Sequence, residues 1–130
     1  MTSYGINKNK IIKAVNSALP RNKTISEIGL VFVSEKRMLE LNKKYRGKNK
    51  VTNVLSFYEG PSNDLGTGDI VICPAVVKRE AQVYGFTQKY WMTRLVVHGI
   101  LHLIGYGHVR VRDRKEMEGL EKKILGRLGI

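Results

Sequence analysis

Apolar residues recur at helical spacing in some stretches of this chain and in short unbroken runs in others. From Asn9 to Leu19, the residues Ile11, Ile12, Val15, Ala18 and Leu19 share one helical face, and Pro20 stops the pattern. Ile25 to Val33 is rich in β-branched residues and apolar from Ile28 on, apart from Gly29, which predicts a buried strand. Ser34 offers a cap for a second helix, on which Met38, Leu41 and Tyr45 share a face until Gly47 ends it. Thr52 to Phe57 and Asp69 to Cys73 read as short strands around a turn-rich segment, Gly60-Pro61-Ser62-Asn63-Asp64. Pro74 suits the first turn of a helix running to Gly85, and Thr87 can cap the next. That next helix, from about Gln88 to Ile104, is apolar around most of its circumference after Arg94, which places it at the centre of a domain. The last helix, about Arg112 to Arg127, carries Met117, Leu120, Ile124 and Leu128 on one side, and Glu116, Glu118 and Glu121 among its cations read as a solvated face.

No repeat, low-complexity tract or Pro/Gly linker divides the pattern, so residues 1–130 read as one domain. The element order predicts an α+β fold, a short mixed sheet of about four strands packed against five or so helices. A hydrophobic fraction of 42% is enough for a sizeable core. Charge changes the picture more, because 23 Lys and Arg against 11 Asp and Glu leave a net +12. Such an excess attracts polyanions through counterion release. From Lys36 to Lys50 there are seven cations (Lys36, Arg37, Lys43, Lys44, Arg46, Lys48 and Lys50) against the single acid Glu40. Cys73 is the only cysteine, which rules out an internal disulfide and a thiolate metal cage. The N-terminal MTSYGINKNKIIK lacks the apolar run of a signal peptide, and Leu95 to Tyr106 is too short to span a bilayer. These features predict a cytoplasmic protein with no membrane partner.

The chemistry sits in one window, His98-Gly-Ile-Leu-His102-Leu-Ile-Gly105-Tyr-Gly-His108, which holds all three histidines of the chain. His98 and His102 are four apart on a helix, hence one turn above each other on the same face. Gly105 can take a left-handed conformation that ends the helix and returns His108 toward the pair. Three neutral imidazoles that leave a fourth position for water describe a catalytic site for one Zn2+ per chain, set on the central helix. The spacing H-x3-H-x5-H is also that of the metzincin proteases, whose general base is a Glu directly after the first histidine. Here that position is Gly99, so the proteolytic mechanism lacks its proton acceptor.

HGILHLIGYGH resembles the HGxLHLxGYDH signature of the YbeY endoribonucleases. The resemblance extends to Tyr45-Arg46-Gly47-Lys48, to Thr52-Asn53-Val54-Leu55-Ser56-Phe57 and to Gly68-Asp69-Ile70-Val71-Ile72, in order along most of the chain. It implies that His98, His102 and His108 are zinc ligands and that Arg46 is a functional arginine. It also implies a metal-dependent, single-strand-specific endoribonuclease that matures the 3′ end of 16S ribosomal RNA and serves ribosome quality control. Ribosomal RNA and the small ribosomal subunit are then the implied partners, with no specificity for DNA. Two positions depart from the pattern: Gly107 stands where the family usually has Asp, and Tyr58 where proline is common.

On this reading Arg46 stabilises the charge that gathers on a phosphate, because guanidinium matches two phosphate oxygens and stays protonated. A positive groove runs from the Lys43–Lys50 segment toward the zinc, with Lys43, Lys44, Lys48 and Lys50 contacting phosphates. Ser56 has no base to activate it, because the histidines are committed to metal. Asp69, at the start of a strand after Gly68, reads as a turn residue or as a hydrogen-bond acceptor behind the site, with the structural role favoured. Two alternatives remain at this stage. One is a zinc-stabilised RNA- or ribosome-binding module with little nuclease activity, and the other is a metalloprotease that takes its base from Glu59 or Glu80.

Overall fold

The computed structural model describes residues 4–21, 24–25, 27–57, 68–105 and 111–130. In chain order these form α1 (Lys8–Ala18), β1 (Gly29–Phe32), α2 (Glu35–Arg46), β2 (Val54–Phe57), β3 (Asp69–Ile72), α3 (Pro74–Tyr84), α4 (Gln88–Leu103) and α5 (Val111–Arg127). All five expected helices form. The turn-rich Gly60–Asp64 segment lies outside the described residues.

Among the described residues the sheet has three strands rather than about four, in the order β1-β3-β2. It is mixed, as expected, with β1 parallel and β2 antiparallel to β3. The central strand limits its neighbours, since Asp69–Ile72 has only four residues to pair, matching Gly29–Phe32 on one edge and Val54–Phe57 on the other. The strands expected over Ile25–Val33 and Thr52–Phe57 are therefore shorter than their β-branched composition suggested. Ile25 is held instead by Asn16 of α1, whose amide donates to its carbonyl at 2.7 Å and whose Oδ1 accepts from its N–H at 2.8 Å. That side chain completes the backbone bonding a strand partner would otherwise supply.

Alternation along the strands sorts the core into two layers. Ile70 and Ile72 of β3 join the main core with α1, α4 and α5, together with Leu30 and Phe32 of β1. Val71 and Leu55 face the other way and pack with Met38 of α2 and with Cys73. By the same period of two, Ser56 on β2 points with Val54 toward α4.

Helix α4 begins at Thr87, whose hydroxyl accepts from the Tyr90 N–H at 3.1 Å. Nine of its sixteen residues are buried, which makes it the central helix that its apolar circumference predicted. It approaches the sheet most closely at Gly99. A Cβ there would lie 2.7 Å from Ile70 Cδ1 and 2.9 Å from Ser56 Oγ, and Ile70 is fully buried. Gly99 is thus the contact that lets the helix lie flat on β2 and β3. Beyond Leu103 the helix stops, and Gly105 takes a positive φ of 102°, as its place after the last turn suggested. Among the described residues no helix is long and apolar enough to cross a membrane.

Replacing Gly99 by Ala should destabilise the fold by about 1–2 kcal/mol, because overpacking outweighs the ~1 kcal/mol that Ala gains in a helix. Urea denaturation reads this directly, and a G99A chain as stable as the parent would contradict the close approach.

Candidate active site

Helices α2 and α4 and strand β2 enclose a cleft of about 520 Å³. Its floor is the outward turn of α4, with His98, Gly99 and His102, and one wall is the edge of β2 with Ser56. Its rim carries Arg46, Lys48 and Lys50, and no carboxylate is found among the described residues that line it.

Local structure places each rim residue. Helix α2 is capped by Ser34, which accepts from the Arg37 N–H, and ends in left-handed Gly47. Arg46 therefore sits on the final helical residue, where its Nη2 donates to the Ser56 carbonyl at 3.2 Å. The segment after Gly47 is held down by Asn42, which is only 2% exposed. Its side-chain amide donates to the Lys50 carbonyl at 2.8 Å, and its backbone carbonyl accepts from the Lys48 N–H at 3.3 Å. Ser56 Oγ donates to the Gly99 carbonyl at 3.3 Å, a structural tie across the closest point of helix and sheet.

The two histidines of α4 meet. His98 Nε2 and His102 Nε2 are 3.1 Å apart, with the rings edge-on at a centroid distance of 4.7 Å. On its other side His98 Nδ1 lies 2.6 Å from Oε1 of Glu121 on α5, a carboxylate that is 6% exposed. A carboxylate accepts, so Nδ1–H is the donor in this contact. Two imidazole nitrogens bound to one tetrahedral zinc at ~2.0–2.1 Å would stand roughly 3.3 Å apart, close to what is seen, although a direct N–H···N bond has a similar length. The donor chemistry fits a divalent ion of zinc type. Cys73 is buried on the far face of the sheet, away from this cleft. His108, Tyr106 and Gly107 lie outside the described residues, as do Tyr58 and Glu59. Among the described residues no group of three His, Cys, Asp or Glu side chains forms a complete ligand set.

Comparison with known proteins agrees with this architecture. The family model described as endoribonuclease YbeY matches residues 3–129. The chain belongs to the YbeY family. It is 40% identical over 126 residues to endoribonuclease YbeY of Bartonella henselae, covering 93% of this chain and 80% of that one. It is 43% identical over 120 residues to endoribonuclease YbeY of Pseudoalteromonas translucida, covering 88% and 78%. The fold is similar to the solution structure of TM1509 from Thermotoga maritima, with a TM-score of 0.60 and 26% identity over 93% of this chain and 80% of that one.

In this YbeY chain the cleft brings together Arg46, Lys48, Lys50, His98 and His102, five of the positions singled out from the sequence. Lys43 and Lys44 are exposed on α2 and do not line it, and Lys44 Nζ instead lies 5.2 Å from the Tyr45 ring centroid. Tyr45 was expected on the buried face of α2 with Met38. It is 54% exposed, with its ring edge-on to Phe57 at 5.1 Å. Asp69 keeps the structural place expected of it, pairing at the start of β3 with its Oδ1 against Gly29.

Two residues of the YbeY site escaped the pattern. Glu121 was grouped with solvated acids, yet it stands four residues after Met117 and three before Ile124, on the buried stripe of α5. That position within an apolar stripe was the available signal. Asn42 was hidden because its role is to a backbone carbonyl eight residues on, which no side-chain pattern announces. For the protease alternative, Glu80 Oε1 already accepts from Asn53 Nδ2 at 2.9 Å and from Trp91 Nε1 at 3.0 Å. A glutamate at position 99 has no room.

Asn42→Ala should lower stability by about 1 kcal/mol, since the Lys50 carbonyl loses its donor, and should expose the 47–53 segment to proteases. Denaturation and limited proteolysis test both, and an unchanged cleavage pattern would refute the latch.

Proposed function

We propose that this YbeY-family chain is a zinc-dependent, single-strand-specific endoribonuclease acting on ribosomal RNA, near the 3′ end of 16S RNA, in maturation and ribosome quality control. The small ribosomal subunit is then its assembly partner and the cytoplasm its compartment. One observation carries the reading: a cleft with a pair of imidazole nitrogens on its floor, cations on its rim and no acid among its described lining residues. Such a cleft suits a polyanion positioned over a divalent ion.

His98 and His102 would hold the zinc together with His108, and the bound ion supplies the Lewis acidity that activates water and polarises a phosphoryl oxygen at neutral pH. The protein residues do the remaining work. Arg46 spends one N–H on the Ser56 carbonyl, which steadies the guanidinium at the rim and leaves other donors for phosphate oxygens. Lys48 and Lys50, fixed through Asn42, add positive charge along the strand's path. Lys43 and Lys44 contribute to the approach of RNA from outside the cleft. A single strand fits this site better than a duplex, because a narrow cleft can engage a backbone whose bases are splayed out.

His102→Ala is expected to lose both stoichiometric zinc and RNA cleavage, as measured by elemental analysis and a ribosomal RNA nuclease assay. Arg46→Lys should keep zinc but fall by about 10²-fold in turnover, since a point charge does not replace the guanidinium fork. Cleavage retained by metal-free H102A would overturn the proposal. Intact RNA with zinc-dependent ribosome binding would favour a binding module instead.

A further inference from the structure

Glu121 and His98 come from different helices, 23 residues apart in sequence, and meet through a 2.6 Å contact in a largely buried setting. Burying a carboxylate is unfavourable unless its oxygens are engaged. Here Oε1 faces His98 Nδ1, and Oε2 lies 4.0 Å from Arg94 Nε, one turn before His98 on α4. Arg94 is in turn set over the Trp91 ring, its Cζ 5.6 Å from the centroid, and Trp91 is tethered through Nε1 to Glu80. The carboxylate therefore occupies a defined position between α4 and α5, with neighbours that are themselves held.

We infer that Glu121 is the positioning residue of the site: by accepting from Nδ1–H it fixes the tautomer and ring orientation of His98, so that Nε2 faces the cleft beside His102 Nε2. The other ring nitrogen of His98, Nε2, is the one directed at His102. The arrangement matches the general rule that an imidazole ligand donates its second N–H to a carboxylate or carbonyl. It also makes the docking of α5 a condition for the site, so the last helix contributes to chemistry as well as to the core. The tautomer is a property of the chain alone, whereas the consequence for affinity rests on the zinc reading given above.

The test compares the full chain with E121Q and E121L. In metal-free protein at mildly alkaline pH, nitrogen NMR of the imidazoles should show His98 protonated on Nδ1 in the wild type and in E121Q, whose side-chain oxygen still accepts. In E121L that single tautomer should be lost. Competition with a chromophoric chelator should show zinc binding about 10–100-fold weaker in E121L, with E121Q close to the wild type. His98 found protonated on Nε2 in the metal-free wild type overturns the inference even if E121L fails to fold, as does wild-type zinc affinity in a folded E121L. A wild-type chain that takes up no zinc while His98 keeps its Nδ1 proton refutes the metal reading and leaves the role of Glu121 standing.

Discussion

Helix α4 lies against the sheet at a separation that only a residue without a side chain permits. Gly99 meets Ile70 and Ser56 at the point where the helix crosses β3 and β2. The floor of the cleft is set from that contact. One residue before it stands His98, three after it His102, and the strand edge it touches supplies the Ser56 carbonyl that receives Arg46. Had this position carried the glutamate of a metalloprotease, the helix could not lie where it does. The same atom-scale constraint therefore builds the site and excludes one chemistry from it.

Around that contact the protein separates its charges. Cations gather on the rim from the end of α2 and the segment after Gly47, while among the described acids Glu121 and Glu80 are already engaged. Glu121 faces His98 from behind, and Glu80 is engaged by Asn53 and Trp91. The mouth of the cleft is left positive, and the His98 imidazole is supported from behind by Glu121. The fold thus divides labour between a rim that attracts and a buried layer that orients.

Helix positions were legible in the sequence because their signals are local: a cap such as Ser34 or Thr87, a stop such as Gly47 or Pro20, and a face repeating every three or four residues. The histidine pair was legible for the same reason, since four residues make one turn. Strand lengths were not, because Ile25 and Ile28 are as apolar as paired residues while the ladder is limited by four-residue β3. Lys43 and Lys44 belong to the same basic run as Lys48 and Lys50, and only the turn at Gly47 separates those that reach the cleft from those that do not. The burial of Glu121 was legible from its place on the Met117–Ile124 stripe, but its partner was not, because it is on another helix and long-range pairs leave no periodic trace.

On the proposed function His98 and His102 share one divalent ion with His108. X-ray absorption at the zinc edge of the purified chain reads that coordination. Stoichiometric zinc with about three imidazole nitrogens at ~2.0–2.1 Å and no sulfur in the coordination sphere is expected. A chain purified without stoichiometric metal, or a zinc bound through sulfur at ~2.3 Å, would contradict it.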